Sequence, residues 1–246
     1  MLGRSTLLAA TNTMEPWQGN YNNVSLLLRN GTPGGSPLDE SPTPKTIGVT
    51  SPAQVTTAVF KYGSSSLYIP GSGGFSASYG ADLNLAGDDF TIEAWVAFAA
   101  LFGLGVGATL VSRYTTTAKS YLWWAYRSQA SGLYFLYFDW TTDNNTRQFA
   151  YAAIPTPSIN VFSHYAVCRS GNEILFFVDG QKQTLNGQSS PIGTFFNQST
   201  SLEVGTAYAG LGASAFNGYI DDLRITKGVA RYTGNFNPPP VELPNF

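Results

Sequence analysis

The chain has 246 residues, 13 basic against 15 acidic side chains and a formal net charge of -2, with charged residues at only 11% where about 25% is usual. Its cations are scattered, which excludes a phosphate-reading nucleic-acid surface, and no run approaches the ~18 apolar residues of a membrane span. The one cysteine, Cys168, excludes an internal disulfide and, with the one histidine, a Cys/His metal site.

Met1 to Tyr21 has little periodicity and is expected to form an arm. Its Leu7 to Ala10 run is too short for a secretory core, so a soluble chain without a cleaved leader is expected. Strand signals then follow one another: Asn22 to Arg29, Ser65 to Ile69, Asp89 to Phe98, Ala108 to Tyr114, Ser120 to Arg127 and Gly132 to Asp139. Further runs span Arg147 to Ala153, Phe162 to Ser170, Glu173 to Gly180, Ser201 to Gly205 and Phe216 to Thr226. Tight turns such as Ser170-Gly171-Asn172 and Asp179-Gly180 join them, and helix signals are nearly absent. The expected fold is all-β, a two-sheet antiparallel sandwich of the jelly-roll kind. Its expected divisions are residues 1–21 as an arm for attachment or oligomer contact, 22–239 as the sandwich and 240–246 as a Pro-rich tail.

Alternation places Phe90, Ile92, Ala94, Val96 and Phe98 on one face, which should be the core, with Thr91, Glu93, Trp95 and Ala97 on the other. In the last strand Phe216, Gly218 and Ile220 keep period two, but Leu223 and Ile225 resume one residue out of step. A β-bulge at Asp221-Asp222 would absorb the slip. Pro238 to Pro240 and Pro244 exclude a central strand and predict an extended tail on the surface.

Four segments in order, Phe60 to Gly73, Asp88 to Val96, His164 to Gln181 and Phe216 to Pro239, resemble the laminin-G-type, concanavalin A-like jelly-roll domains frequent in bacteriophage structural proteins. The resemblance implies that the Ile220 to Ile225 strand closes the sheet beside the first strand and is followed by a helical turn at Gly228 to Tyr232. It also implies that Asp221 and Asp222 accept backbone hydrogen bonds or pair with Arg224 or Arg231. Many relatives carry acidic loop positions that are absent around Leu26 to Gly31, so neither calcium nor another cofactor is expected.

No two carboxylates alternate on one strand as a sandwich glycosidase requires: Glu93, Glu173 and Glu203 each stand alone. His164 lies mid-strand and is read as packed, and Cys168 as a small buried residue. The candidate glycan site joins Trp140, Asp143, Asn144 and Asn145, with Arg147 beside them, to Trp124 and Tyr126 on a neighbouring strand. Aromatic platforms with amide and carboxylate groups are what sugar recognition needs, while buried tryptophans beside an ordinary hairpin turn are the competing reading. The apolar loop at Leu101, Phe102, Leu104 and Val106 is the candidate subunit contact, or else folds back on the sandwich edge.

The expected function is a non-enzymatic structural and adhesive protein on a virion surface: a bacteriophage capsid decoration, fibre or tail component. Its partners would be other virion proteins or copies of itself in a homo-oligomer, with host-cell glycan in addition. A free carbohydrate-binding module or adhesin is the alternative, and a glycan-degrading enzyme the third.

Overall fold

The computed structural model describes residues 14–206 and 213–245. Expectations for residues 1–13 of the arm lie outside the described residues. In chain order the strands are β1 (Val24–Gly31), β2 (Pro37–Asp39), β3 (Ile47–Thr50), β4 (Gln54–Thr56), β5 (Ser66–Pro70), β6 (Gly74–Ala77), β7 (Phe90–Phe98), β8 (Gly107–Tyr114) and β9 (Lys119–Arg127). They continue as β10 (Tyr134–Trp140), β11 (Gln148–Ile154), β12 (Ser163–Ser170), β13 (Glu173–Val178), β14 (Gln181–Lys182), β15 (Leu185–Gln188), β16 (Leu202–Val204), β17 (Ala213–Ser214) and β18 (Asn217–Lys227).

Two antiparallel sheets result, as the alternating pattern requires. The first runs β14-β13-β12-β7-β18-β1-β2, with β5 on β18 and β4 on β5. The second runs β15-β11-β10-β9-β8-β16-β6-β3, with β17 added in parallel to β8. Phe90, Ile92, Ala94, Val96 and Phe98 all enter the core between the sheets, against Trp123, Leu136, Phe138 and Trp140 of the facing layer.

Strand β18 closes the first sheet as expected, and the bulge falls where the sequence slips. Asn217 to Ile220 pair with β5, whereas Leu223 to Thr226 pair with β1. Between them the register against β7 shifts, and Asp222 takes the left-handed φ of +49°. Asp221 and Asp222 accept backbone N–H groups, while Arg224 turns to Glu93 instead.

The two outer faces are treated differently, and this positions the site. On the first sheet, Thr91, Glu93, Trp95 and Ala97 are buried too: Trp17, Tyr232 and Leu243 join a second apolar cluster with Val24, Leu27, Ala166, Leu175 and Phe177, while Tyr62 and Lys61 lie against Trp95. Burying Leu243 alone contributes roughly 1.5–3 kcal/mol. The tail is therefore extended but not wholly on the surface: Val241 is exposed and Leu243 is buried. No helical turn forms at Gly228 to Tyr232. The Arg231 N–H donates to Thr91 Oγ1 at 2.9 Å, and its guanidinium reaches Thr226 Oγ1 and the Gly19 carbonyl, which holds that stretch extended across β7.

Candidate ligand-binding site

The outer face of the second sheet has no such cover. Strict pairing of β9 with β10 and of β10 with β11 sets side chains of alternate positions side by side. One transverse row is Trp124, Tyr137 and Tyr151; a second holds Tyr126 and Phe135; a third holds Asp139 and Phe149. Six of these seven side chains are aromatic, on a face where a half-solvated sheet normally carries polar residues.

The rings touch one another across the strands. Tyr137 and Tyr151 stack at 4.9 Å with planes 6° apart, and Trp124 lies 5.0 Å from Tyr137. Glycines stand at both margins of the row. A Cβ at Gly107 would sit 2.5 Å from the Trp124 ring, and one at Gly187 would sit 2.7 Å from Tyr151, so each margin must stay free of a side chain for its ring to lean over it. Trp124 is buried and forms the floor; Tyr126, Tyr137, Phe149 and Tyr151 are half-open walls. With Gly105 and Arg147 they bound a cleft of about 410 Å³.

A charged pair sits at the end of this cleft. Asp139 is fully buried, accepts the Trp124 indole N–H at 2.9 Å, and takes Arg147 Nη2 on both oxygens at 2.9 and 3.1 Å. Burial pushes the Asp139 carboxyl up to about 6, with Arg147 opposing the rise. Arg147 is otherwise exposed and lies over Phe149 at 5.2 Å. Burial and the neighbouring Tyr151 push the Tyr137 hydroxyl up to about 12, so it is a neutral donor at physiological pH.

The structure divides the sequence-predicted glycan residues. Trp124 and Tyr126 do belong to this cleft. Trp140 does not: it is fully buried, stacks on Phe195 at 5.6 Å, and donates its indole N–H to the Ile192 carbonyl at 2.9 Å. Asp143, Asn144 and Asn145 form the hairpin itself. Asp143 accepts the N–H groups of Asn145 and Thr146, and Asn144, at φ +66°, binds the Lys119 N–H and the Thr117 carbonyl. The site residues that the sequence reading missed are Phe135, Tyr137, Asp139, Phe149 and Tyr151.

In the apolar loop, Leu101 and Leu104 are exposed and Val106 is half-buried. Phe102 turns inward against Phe98 and Tyr134, at 5.7 and 5.1 Å.

Other chemistry-bearing groups are engaged elsewhere. Glu93 lies under the terminal segments of the first sheet. It accepts Arg224 Nε and Nη2 on one oxygen, at 2.9 and 2.7 Å, and His164 Nε2 and the Tyr232 hydroxyl on the other, at 3.1 and 2.6 Å. Burial alone would raise this carboxyl, but Arg224 and His164 outweigh it and hold Glu93 well below the usual carboxylate range. Cys168 is buried 3.3 Å from Thr91 Oγ1, and burial pushes its thiol up to about 12. Among the described residues no cluster of three acidic, His or Cys side chains is arranged to hold a metal ion. A larger groove, about 850 Å³, lies between the two terminal segments, with Arg29 on its wall already bound to Glu40 and the Leu243 carbonyl.

Comparison with known proteins places this geometry in a family. No curated protein matches the chain by sequence. Among solved structures, the binding domain of botulinum neurotoxin DC in complex with SialylT is similar over 86% of this chain, at 13% identity and a TM-score of 0.62. The binding domain of botulinum neurotoxin serotype C1 is similar over 87%, at 14% identity and a TM-score of 0.64. A third, the botulinum neurotoxin DC domain in complex with rat synaptotagmin II, is similar over 87%, at 12% identity and a TM-score of 0.60. The chain spans about half the length of each, 50%, 51% and 50% respectively, and at these identities the likeness is one of fold. The Laminin_G_3 family model matches residues 70–230, and the chain belongs to the concanavalin A-like lectin/glucanase superfamily.

Proposed function

We propose that this chain is a non-catalytic glycan-binding protein whose ligand lies in the aromatic cleft on the outer face of the second sheet. One observation carries the reading: the fold seals one outer face and leaves the other open, lined with half-exposed rings around the Asp139–Arg147 pair. Pyranose rings present apolar C–H faces and a rim of hydroxyls. Tyr126, Tyr137, Phe149 and Tyr151 match the first, and Arg147 with the Tyr137 hydroxyl matches the second. The lectin-like superfamily agrees with a ligand of this class, by analogy of fold. Of the two carboxylates on which turnover would depend, Glu93 is closed into an ion pair on the other sheet and Asp221 accepts three backbone N–H groups in the β18 bulge, which supports binding without turnover.

The setting we propose is the surface of a bacteriophage particle, on the resemblance of the four sequence segments to domains frequent in bacteriophage structural proteins. There Leu101 and Leu104 would contact a neighbouring copy, and Leu104→Asp should then lower the mass measured by light scattering. The binding reading is tested on a glycan array probed with the full chain and with Arg147→Ala and Tyr151→Ala. Signal from the wild type that both substitutions reduce by about tenfold is the expected result. Equal signal from all three would overturn it.

A further inference from the structure

At the bulge in β18 the chain buries two consecutive carboxylates and gives them unequal partners. Asp221 is well supplied: Oδ2 accepts the N–H groups of Lys61 and Tyr62 at 2.7 and 3.1 Å, and Oδ1 accepts that of Asp222 at 2.9 Å. Asp222 is fully buried and accepts only the Leu243 N–H, at 3.1 Å on Oδ2; its Oδ1 has no hydrogen-bond partner among the described residues. The groups that face Asp222 are Asp221 on its own strand, Glu242 from the tail, Arg29 from β1 and the Tyr62 hydroxyl from the loop before β5. Arg29 is shared, since it also binds Glu40, just after β2, and the Leu243 carbonyl. Three carboxylates, Glu40, Glu242 and Asp222, thus share one guanidinium.

We propose that this corner is a proton-controlled latch for the C-terminal tail: a proton on Asp222 keeps residues 240–245 docked, and its loss loosens them. The hinge of the latch is the Leu243 N–H on Asp222, and what it holds in place is the tail wall, Pro240 to Asn245, of the groove that faces Met14 to Gly19. Two like charges side by side in a buried place cannot both ionise cheaply, so one carboxyl keeps its proton. Burial and the adjacent Asp221 push Asp222 up to about 8, and burial pushes Asp221 up to about 6. Release of the tail readmits water to Asp222 and takes Glu242 away, two of the causes that raise it, and together these outweigh the loss of the Leu243 N–H, which favours the ionised form, so the docked state binds more protons than the released one. Docking is therefore strongest in acid and weakens as pH rises towards about 8, where Asp222 loses its proton in the docked state. On release, Leu243 leaves the cluster around Trp17 and Leu27, which bares the terminal face to a partner.

The test is hydrogen exchange of the Leu243 amide in the full chain between pH 6 and 9, expressed as protection relative to the intrinsic rate. Protection should fall at least tenfold over that range in the wild type and stay level in Asp222→Asn, the neutral isostere. Constant protection in the wild type, or an equal fall in both, would overturn the latch. Should Asp222→Asn fail to fold, Glu242→Gln serves instead: with one facing charge gone, the fall should move to lower pH and shrink, and an unchanged profile would count against the proposal.

Discussion

Replacing Glu93 with Gln tests how the terminal segments are held. The substitution keeps shape but removes a buried negative charge from a cluster of Arg224, His164 and Tyr232. Arg224 is itself fully buried, and with an amide in place of Glu93 it keeps the amide oxygen and the Trp17 carbonyl, at 3.0 Å, as acceptors but loses its counter-charge. Stranding a buried cation in this way costs about 3–5 kcal/mol. At about 2–4 °C per kcal/mol for a domain of this size, the melting temperature should fall by roughly 6–20 °C. Thermal and urea unfolding at pH 7 measure it, with an unchanged urea slope showing that the fold itself survives. The pH dependence has a definite sign. Glu93 is held below its ordinary value of 4.5, so its contribution is complete above that pH and is lost as the solution is acidified further. The variant should lose this acid-sensitive component. A loss below about 1 kcal/mol, or an acid limb identical to the wild type, would refute the assigned role.

Trp140→Ala should destabilise by about 3–5 kcal/mol, read by urea unfolding, because it empties a core site and leaves the Ile192 carbonyl unpaired. Tyr151→Ala should instead leave the melting temperature within a few degrees and weaken glycan binding by about tenfold in calorimetric titration, since it removes a half-exposed wall. Binding should also weaken below pH 6: as Asp139 gains a proton it releases Arg147, and Asp139→Asn should abolish the difference between pH 5 and pH 7.5. Folding stability drawn from Asp139 runs the other way, falling as pH rises from about 4 to 6, because burial has raised the carboxyl. Cys168 should resist a thiol reagent in the native state and react on unfolding.

Much of the fold was legible because long strands repeat. All eleven runs read from alternation are strands, and the slip between Ile220 and Leu223 marked the bulge. Pieces such as β4 and β14, three and two residues long, carry too little period to be seen. The site was harder for a physical reason. In β10 the inward positions are Tyr134, Leu136, Phe138 and Trp140, and the outward ones Phe135, Tyr137 and Asp139. Both faces are aromatic, so polarity gives no contrast, and Trp140 reads as well on either. Its shared parity with Leu136 and Phe138 was the one available clue. The sealing of the first sheet rests on Trp17 and Leu243, more than 200 residues apart in the chain, and no local pattern announces that contact.

The central claim is where the ligand lies, and the most direct measurement is residue-specific NMR shift mapping during titration with an oligosaccharide that scores on the array. Shifts concentrated at Tyr126, Tyr137, Phe149, Tyr151 and the Arg147 side chain are predicted, with the rest of the molecule quiet. Shifts confined to the Asp143 to Asn145 hairpin, or to the groove between the terminal segments, would contradict the account.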